Sequence, residues 1–170
     1  MSSLANAHLQ SDQDVAPLLL AAQVLRTDNE ALEAARSLAA NAREHAGKRD
    51  LQRKLPWSLV EEFTRSGLGS LSIAREFGGP QVSFVTLAEV FAIISAADPA
   101  LGQIPQNQVG ILSLIAATAT PAQKEHLFAS VLQGWRIGNA GPERGSKNTL
   151  ELKARITADG DDFVINGQKF

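Results

Sequence analysis

The densest candidate chemistry in this sequence lies in one stretch: Gly134-Trp135-Arg136-Ile137-Gly138-Asn139-Ala140-Gly141-Pro142-Glu143-Arg144-Gly145-Ser146-Lys147-Asn148-Thr149. Its four glycines and Pro142 let the backbone turn sharply, and they leave main-chain N–H groups bare of bulky side chains. Bare N–H groups suit a planar or anionic cofactor held by main-chain atoms. The same composition suits a plain crossing between two domains, and residue chemistry alone leaves both open. A second set, Gln103, Asn107 and Gln108, has spacings that put three amides on or near one helical face beside Pro105. They could line a polar substrate pocket or form a solvated helix face.

Other chemistries are excluded by composition. No cysteine is present, which removes disulfides, thiolate metal ligands and cysteine nucleophiles together. His8, His45 and His126 lie far apart without an H-x-x-x-H pairing, so no metal site is expected. A formal charge of −2 gives no basic excess for nucleic acid or an anionic membrane. The apolar run from Val15 to Leu25 follows Asp12 and Asp14 and is too short to span a bilayer. A cytoplasmic location is the default expectation.

The glycine-rich stretch must be held by what flanks it, and the flanks differ in kind. Residues 1–14 read as a mobile tail and 15–134 as a helical domain. Thr27 and Glu30 form a capping-box pattern before a helix with Ala31, Leu32, Ala35, Leu38, Ala39 and Ala42 on one face, ending near Gly47. A helix is expected from Pro56 to Gly67, with Trp57 in the core. Residues 68–80 are expected as a short extended connection closed by Gly78-Gly79-Pro80. Ser83 caps a helix that is apolar nearly all round and therefore expected to be central and buried. Asp98-Pro99 can start another, which Pro105 should kink or delay. Thr120-Pro121-Ala122-Gln123 is a second capping box, opening a helix that ends at Gly134. The charged run Lys48 to Lys54 and His126 are expected on the surface.

Beyond the glycine-rich stretch the period changes to two, with Leu150, Leu152, Ala154 and Ile156 on one face. Asp159-Gly160-Asp161 turns the chain into Phe163-Val164-Ile165. Two strands alone are marginal in water, so 135–170 reads as the incomplete start of a β domain.

Three segments carry a family resemblance over most of the chain. They are Leu55-Pro56-Trp57 through Ser66-Gly67-Leu68 to Arg75-Glu76-Phe77-Gly78-Gly79-Pro80, then Ala140 to Lys147, then Gly160 to Lys169. In this order and spacing they resemble the acyl-CoA dehydrogenase superfamily of flavoenzymes. Residues 96–107 are most similar to its SfnB-type sulfur-acquisition monooxygenases, related to dibenzothiophene monooxygenase. The implied fold is mainly α: an N-terminal helical domain of acyl-CoA dehydrogenase type, followed by the first strands of an antiparallel β middle domain, truncated here.

The resemblance implies a flavin, FMN or FAD, bound along Asn139, Ala140, Gly141, Gly145 and Ser146. It places Ser146 near a small-molecule substrate, for which Gln108 and Gln103 are the candidate pocket amides by their spacing. It implies reduced flavin from a separate reductase, oxidation of an organosulfur compound of sulfone type, and a homotetramer in the full-length protein. The sequence departs from the family pattern at four positions. Ala140 stands for a Thr, Gly141 for a Glu and Lys147 for an Asp, and Gln108 stands where the monooxygenase branch has a His. Main-chain contacts survive such changes and side-chain contacts do not. The alternatives are an FAD-dependent acyl-CoA dehydrogenase, whose base would lie beyond residue 170, and a non-catalytic helical interaction domain. The 170-residue chain alone is expected neither to hold flavin nor to turn over substrate.

Overall fold

In the computed structural model, residues 22–143, 145, 147–148 and 151–169 are described. The tail expected over 1–14 lies outside them, as do Arg144, Ser146, Thr149 and Leu150. Among the described residues, seven α-helices and one β-hairpin follow in chain order: α1 Asp28–Arg43, α2 Ala46–Leu51, α3 Trp57–Arg65, α4 Phe84–Ala97, α5 Pro99–Gln103, α6 Gln106–Thr118, α7 Pro121–Leu132, β1 Arg155–Asp159 and β2 Asp162–Asn166. Among the described residues no helix is long and apolar enough to cross a membrane.

Local capping starts most of the longer helices where the sequence says it should. Thr27 Oγ1 accepts the Glu30 N–H at 3.2 Å, while the Glu30 carboxylate takes the Arg26 N–H at 2.6 Å, one residue earlier than in a closed capping box. At α7 the box closes fully: Thr120 and Gln123 bond each other's backbone N–H with their side chains. Ser83 caps α4 through the Thr86 N–H at 3.1 Å. Pro105 separates α5 from α6, as its missing N–H requires.

The main core lies between α1 and α4. Ala31, Ala35, Ala39 and Ala42 present a small-residue face that lets α4 approach and bury Val90 and Ile94 completely. Both ends of this pair are tied. At the N-termini Asp28 accepts the Thr86 hydroxyl at 2.6 Å, and this bond holds its carboxyl below the ordinary carboxylate range. At the C-termini Arg49 donates to the Ala42 carbonyl and to Asp98. A second cluster gathers Ile73, Leu112, Phe128 and Val131, with Phe77 edge-on to Phe128 at 5.1 Å between ring centroids.

Several expectations are corrected. α1 ends at Arg43, and Gly47 sits inside the separate helix α2. Residues 68–80 form two 3-10 turns, Leu68–Ser70 and Arg75–Phe77, because Leu68, Leu71 and Ile73 must all turn inward. Gly67 makes this possible at φ +81°, where any Cβ would stand 2.1 Å from the Gln23 carbonyl oxygen. α4 is buried on one face only; Phe84 and Val85 at its start are 83% and 77% exposed. Trp57 is not core but 63% exposed, and Arg49 is not solvated but largely buried.

The hairpin pairs Ile156 with Ile165 and Asp159 with Asp162, and every residue of both strands is exposed. Gly160, at φ +62°, supplies its tight turn. β1 begins only at Arg155, later than the alternation suggests, because the N–H groups of Lys153 and Ala154 are taken by the Glu143 carboxylate.

Candidate functional site

The chain leaves α7 through Gly134 and crosses from Trp135 to Glu143 without helix or strand. Two sets of side-chain bonds fix its course. At the near end, the Gln108 Oε1 accepts the Ile137 N–H at 3.3 Å, and Nε2 donates to the Gly69 carbonyl at 2.7 Å. Gln108 is only 5% exposed, so both halves of its amide are used inside the fold. Gly69 is needed for this approach: a Cβ there would stand 2.7 Å from Nε2.

At the far end, Glu143 accepts three donors: the Lys153 N–H at 2.7 Å, the Ala154 N–H at 2.9 Å and the Lys169 ammonium at 2.7 Å. Lys169 also donates to the Gly141 carbonyl at 3.0 Å. Three chain segments thus meet at one charge. The Lys169 ammonium, then the two backbone donors, outweigh desolvation and pull the Glu143 carboxyl down to about 2.

Between these ends, Gly138, Asn139, Ala140, Gly141 and Pro142 are all exposed. Among the described residues, nothing accepts the N–H groups of Gly138, Asn139, Ala140 and Gly141. Gly138 has open space where a Cβ would project. The Asn139 side chain reaches back to Asn107 Oδ1 at 3.4 Å.

Beside Gly138 opens a cleft of about 160 Å³ with Trp57, Val60, Phe63 and Leu101 among its apolar walls and Gln108 and Arg136 as its polar members. Among the described residues no carboxylate or imidazole lines it. A wider groove of about 680 Å³ shares Ile104 with this cleft but touches no residue of the crossing. Two of its charged groups, Arg49 and Asp98, are already paired with each other.

The structure places the sequence-derived site residues unevenly. Asn139, Ala140 and Gly141 lie together on the exposed run; Gly145 follows at φ +77°, and Ser146 falls outside the described residues. Gln108 lines the cleft, whereas Gln103 lines the wider groove. Pro105 ends α5 between them, so Gln103 does not share a helical face with Asn107 and Gln108. Sequence reasoning missed Glu143, Lys169 and the cleft position of Trp57. Lys169 stands twenty-six positions from Glu143. No local spacing marks such a pair.

These features can be set beside known proteins. The family model of the acyl-CoA dehydrogenase N-terminal domain matches residues 26–135. A dibenzothiophene monooxygenase of Rhodococcus erythropolis is 35% identical over 144 residues, covering 84% of this chain and 34% of that protein. The crystal structure of FMN-bound TdsC from Paenibacillus sp. A11-2 superposes with a TM-score of 0.73 at 31% identity, covering 82% of this chain and 35% of that one. A probable acyl-CoA dehydrogenase of Mycobacterium leprae (strain TN) is 26% identical over 127 residues, covering 74% of this chain and 33% of that protein. The chain thus spans about a third of the length of the relatives it matches.

Proposed function

The chain belongs to the acyl-CoA dehydrogenase family, through that family's N-terminal domain, and on that premise we propose that its protein is a flavin-dependent monooxygenase of organosulfur compounds. One observation carries the reading. An apolar, aromatic-walled cleft opens directly beside an exposed run whose N–H groups nothing among the described residues accepts. The greater likeness to a dibenzothiophene monooxygenase than to an acyl-CoA dehydrogenase, 35% against 26% identity, supports it.

The crossing fits a flavin by its own chemistry. The N–H groups of Asn139, Ala140 and Gly141 would donate to the polar edge of the ring, with Gly145 and Ser146 continuing that wall. The absent side chain at Gly138 lets a flat ring approach the backbone. Bound flavin supplies the redox step, and its reduced form the reaction with oxygen. Trp57, Val60, Phe63 and Leu101 would hold an aromatic sulfur compound by apolar contact; an apolar cavity of roughly 150 Å³ accommodates benzene. Gln108, with both amide groups engaged, shapes the cleft wall, and Ser146 would stand near the substrate. The residues described around the cleft would bind and orient the substrate. In the whole protein, 15–134 would be the helical domain and 135–170 the start of the β domain. A separate reductase would supply reduced flavin to a homotetramer.

The test is oxygen consumption by the protein expressed from its complete gene, with FMN, a flavin reductase and dibenzothiophene, alongside sulfoxide and sulfone detection. Oxygen uptake coupled to those products supports the reading. Dye-linked oxidation of an acyl-CoA thioester, without oxygen insertion, would instead establish the second reading, an FAD-dependent acyl-CoA dehydrogenase, which the mycobacterial relative favours.

A further inference from the structure

We infer that Gln108 and Glu143 are positioning residues that hold the flavin-facing run Gly138–Pro142 from its two ends; this rests on the flavin reading above. The run contributes backbone donors only, so its usefulness depends on where the backbone stands. Between Ile137 and Glu143, the restraints on the run among the described residues are the Asn139–Asn107 side-chain contact and the Lys169 bond to the Gly141 carbonyl. An exposed, glycine-containing segment left to itself samples many paths, and ordering it on binding weakens affinity.

The two anchors attach the run to different bodies. Gln108, on α6, binds the Ile137 N–H while its other half is locked to Gly69 beside α3. Its position is therefore set by the helical core. Glu143 gathers Lys153, Ala154 and Lys169, so its position is set by the segments that flank the hairpin on either side. Lys169 extends this anchor by one step, since the same ammonium that neutralises Glu143 also holds the Gly141 carbonyl. That bond turns one carbonyl of the run toward Lys169 and fixes the orientation of the peptide unit that follows it. Gly167 permits the closure, because a Cβ there would meet Ala154 Cβ at 2.3 Å.

The device separates roles that the family resemblance merges. None of Gln108, Glu143 and Lys169 need touch the flavin. Each acts through the backbone it holds, so removing one should loosen the donors without emptying the cleft.

The experiment uses the protein expressed from its complete gene and measures FMN binding by flavin fluorescence, together with the visible circular dichroism of the saturated complex. Glu143→Gln and Lys169→Met are expected to weaken FMN binding by roughly tenfold to a hundredfold, the range for losing a charge-assisted bond. Both are expected to change the visible dichroism, which reports ring orientation, while the helical melting transition stays in place. Lys169→Arg retains a donor and is expected to restore binding to within about threefold. Gln108→Leu strips both bonds from a buried amide and can fail to fold. Gly69→Ala displaces the same amide from outside and should alter the dichroism in the same sense. If Glu143→Gln and Lys169→Met bind FMN as the unaltered protein does, with the same dichroism, the positioning role is wrong and the flavin reading stands. If the unaltered protein binds neither FMN nor FAD, the flavin reading fails and takes this proposal with it.

Discussion

Arg49 donates to Asp98 from two nitrogens, Nη2 at 2.6 Å and Nε at 3.1 Å, across forty-nine positions of sequence. The two side chains are only 17% and 6% exposed, so this is an interior ion pair. Asp98 also caps α5 through the Ala100 and Leu101 N–H groups. Asp98→Ala would leave a guanidinium buried without its partner and a helix without its cap. The expected loss is about 3 kcal/mol or more, read from urea unfolding. A loss below about 1 kcal/mol would mean that Arg49 finds water as easily as it finds Asp98.

Thr120 is a simpler case because both halves of its box are formed. Thr120→Ala should cost about 1 kcal/mol by the same measurement. Its effect should add to that of Asp98→Ala, since neither residue shares a partner with the other.

Trp57 separates stability from binding. With 63% of its surface exposed at the cleft, Trp57→Ala should change unfolding free energy by no more than about 0.5 kcal/mol. Binding of an aromatic sulfur compound should weaken severalfold, because one wall of the cleft is lost. Unchanged affinity by calorimetry would move the substrate away from this cleft.

Glu143 should give the crossing a specific acid response. Its folded carboxyl lies at about 2, below its ordinary 4.5. A lowered folded value means the stabilisation is complete above about 4.5 and fades as pH falls toward 2. The amide resonances of Lys153 and Ala154 should therefore hold their positions through pH 4 and shift together near pH 2. A midpoint near 4.5 would show that the three donors do not hold the carboxylate in solution.

The legible part of this protein is the part whose causes are local. Thr120 and Gln123 sit three residues apart, and their cap forms as the spacing implies. Ala31, Ala35, Leu38 and Ala42 repeat with helical period and are all buried. Pro105, with no N–H to continue α5, stands as the cap that opens α6. The exposed run Gly138–Pro142 is likewise visible from its glycines, although composition alone does not tell a cofactor loop from a linker.

Misreadings arose where a neighbour distant in sequence overrode local pattern. Residues 68–80 alternate weakly and suggest extension, but burying Leu68, Leu71 and Ile73 against two different clusters requires turns. Trp57 has the size of a core residue, yet it stands at the open side of the cleft that Val60 and Phe63 wall from within the core. Arg49 looks like one more charge in a solvated run until Asp98 arrives beside it.

By itself the sequence determined the longer helices, the caps at Thr27, Ser83 and Thr120, the hairpin turn and the order of motifs that marks the family, because each depends on residues a few positions apart. Tertiary structure alone decided that Gln108 would join Gly69 to Ile137, and that Glu143 would gather Lys153, Ala154 and Lys169. Those bonds span ten to thirty-nine positions. A hydrogen bond needs its partners about 3 Å apart, and only the folded core brings residues that distant in sequence so close in space.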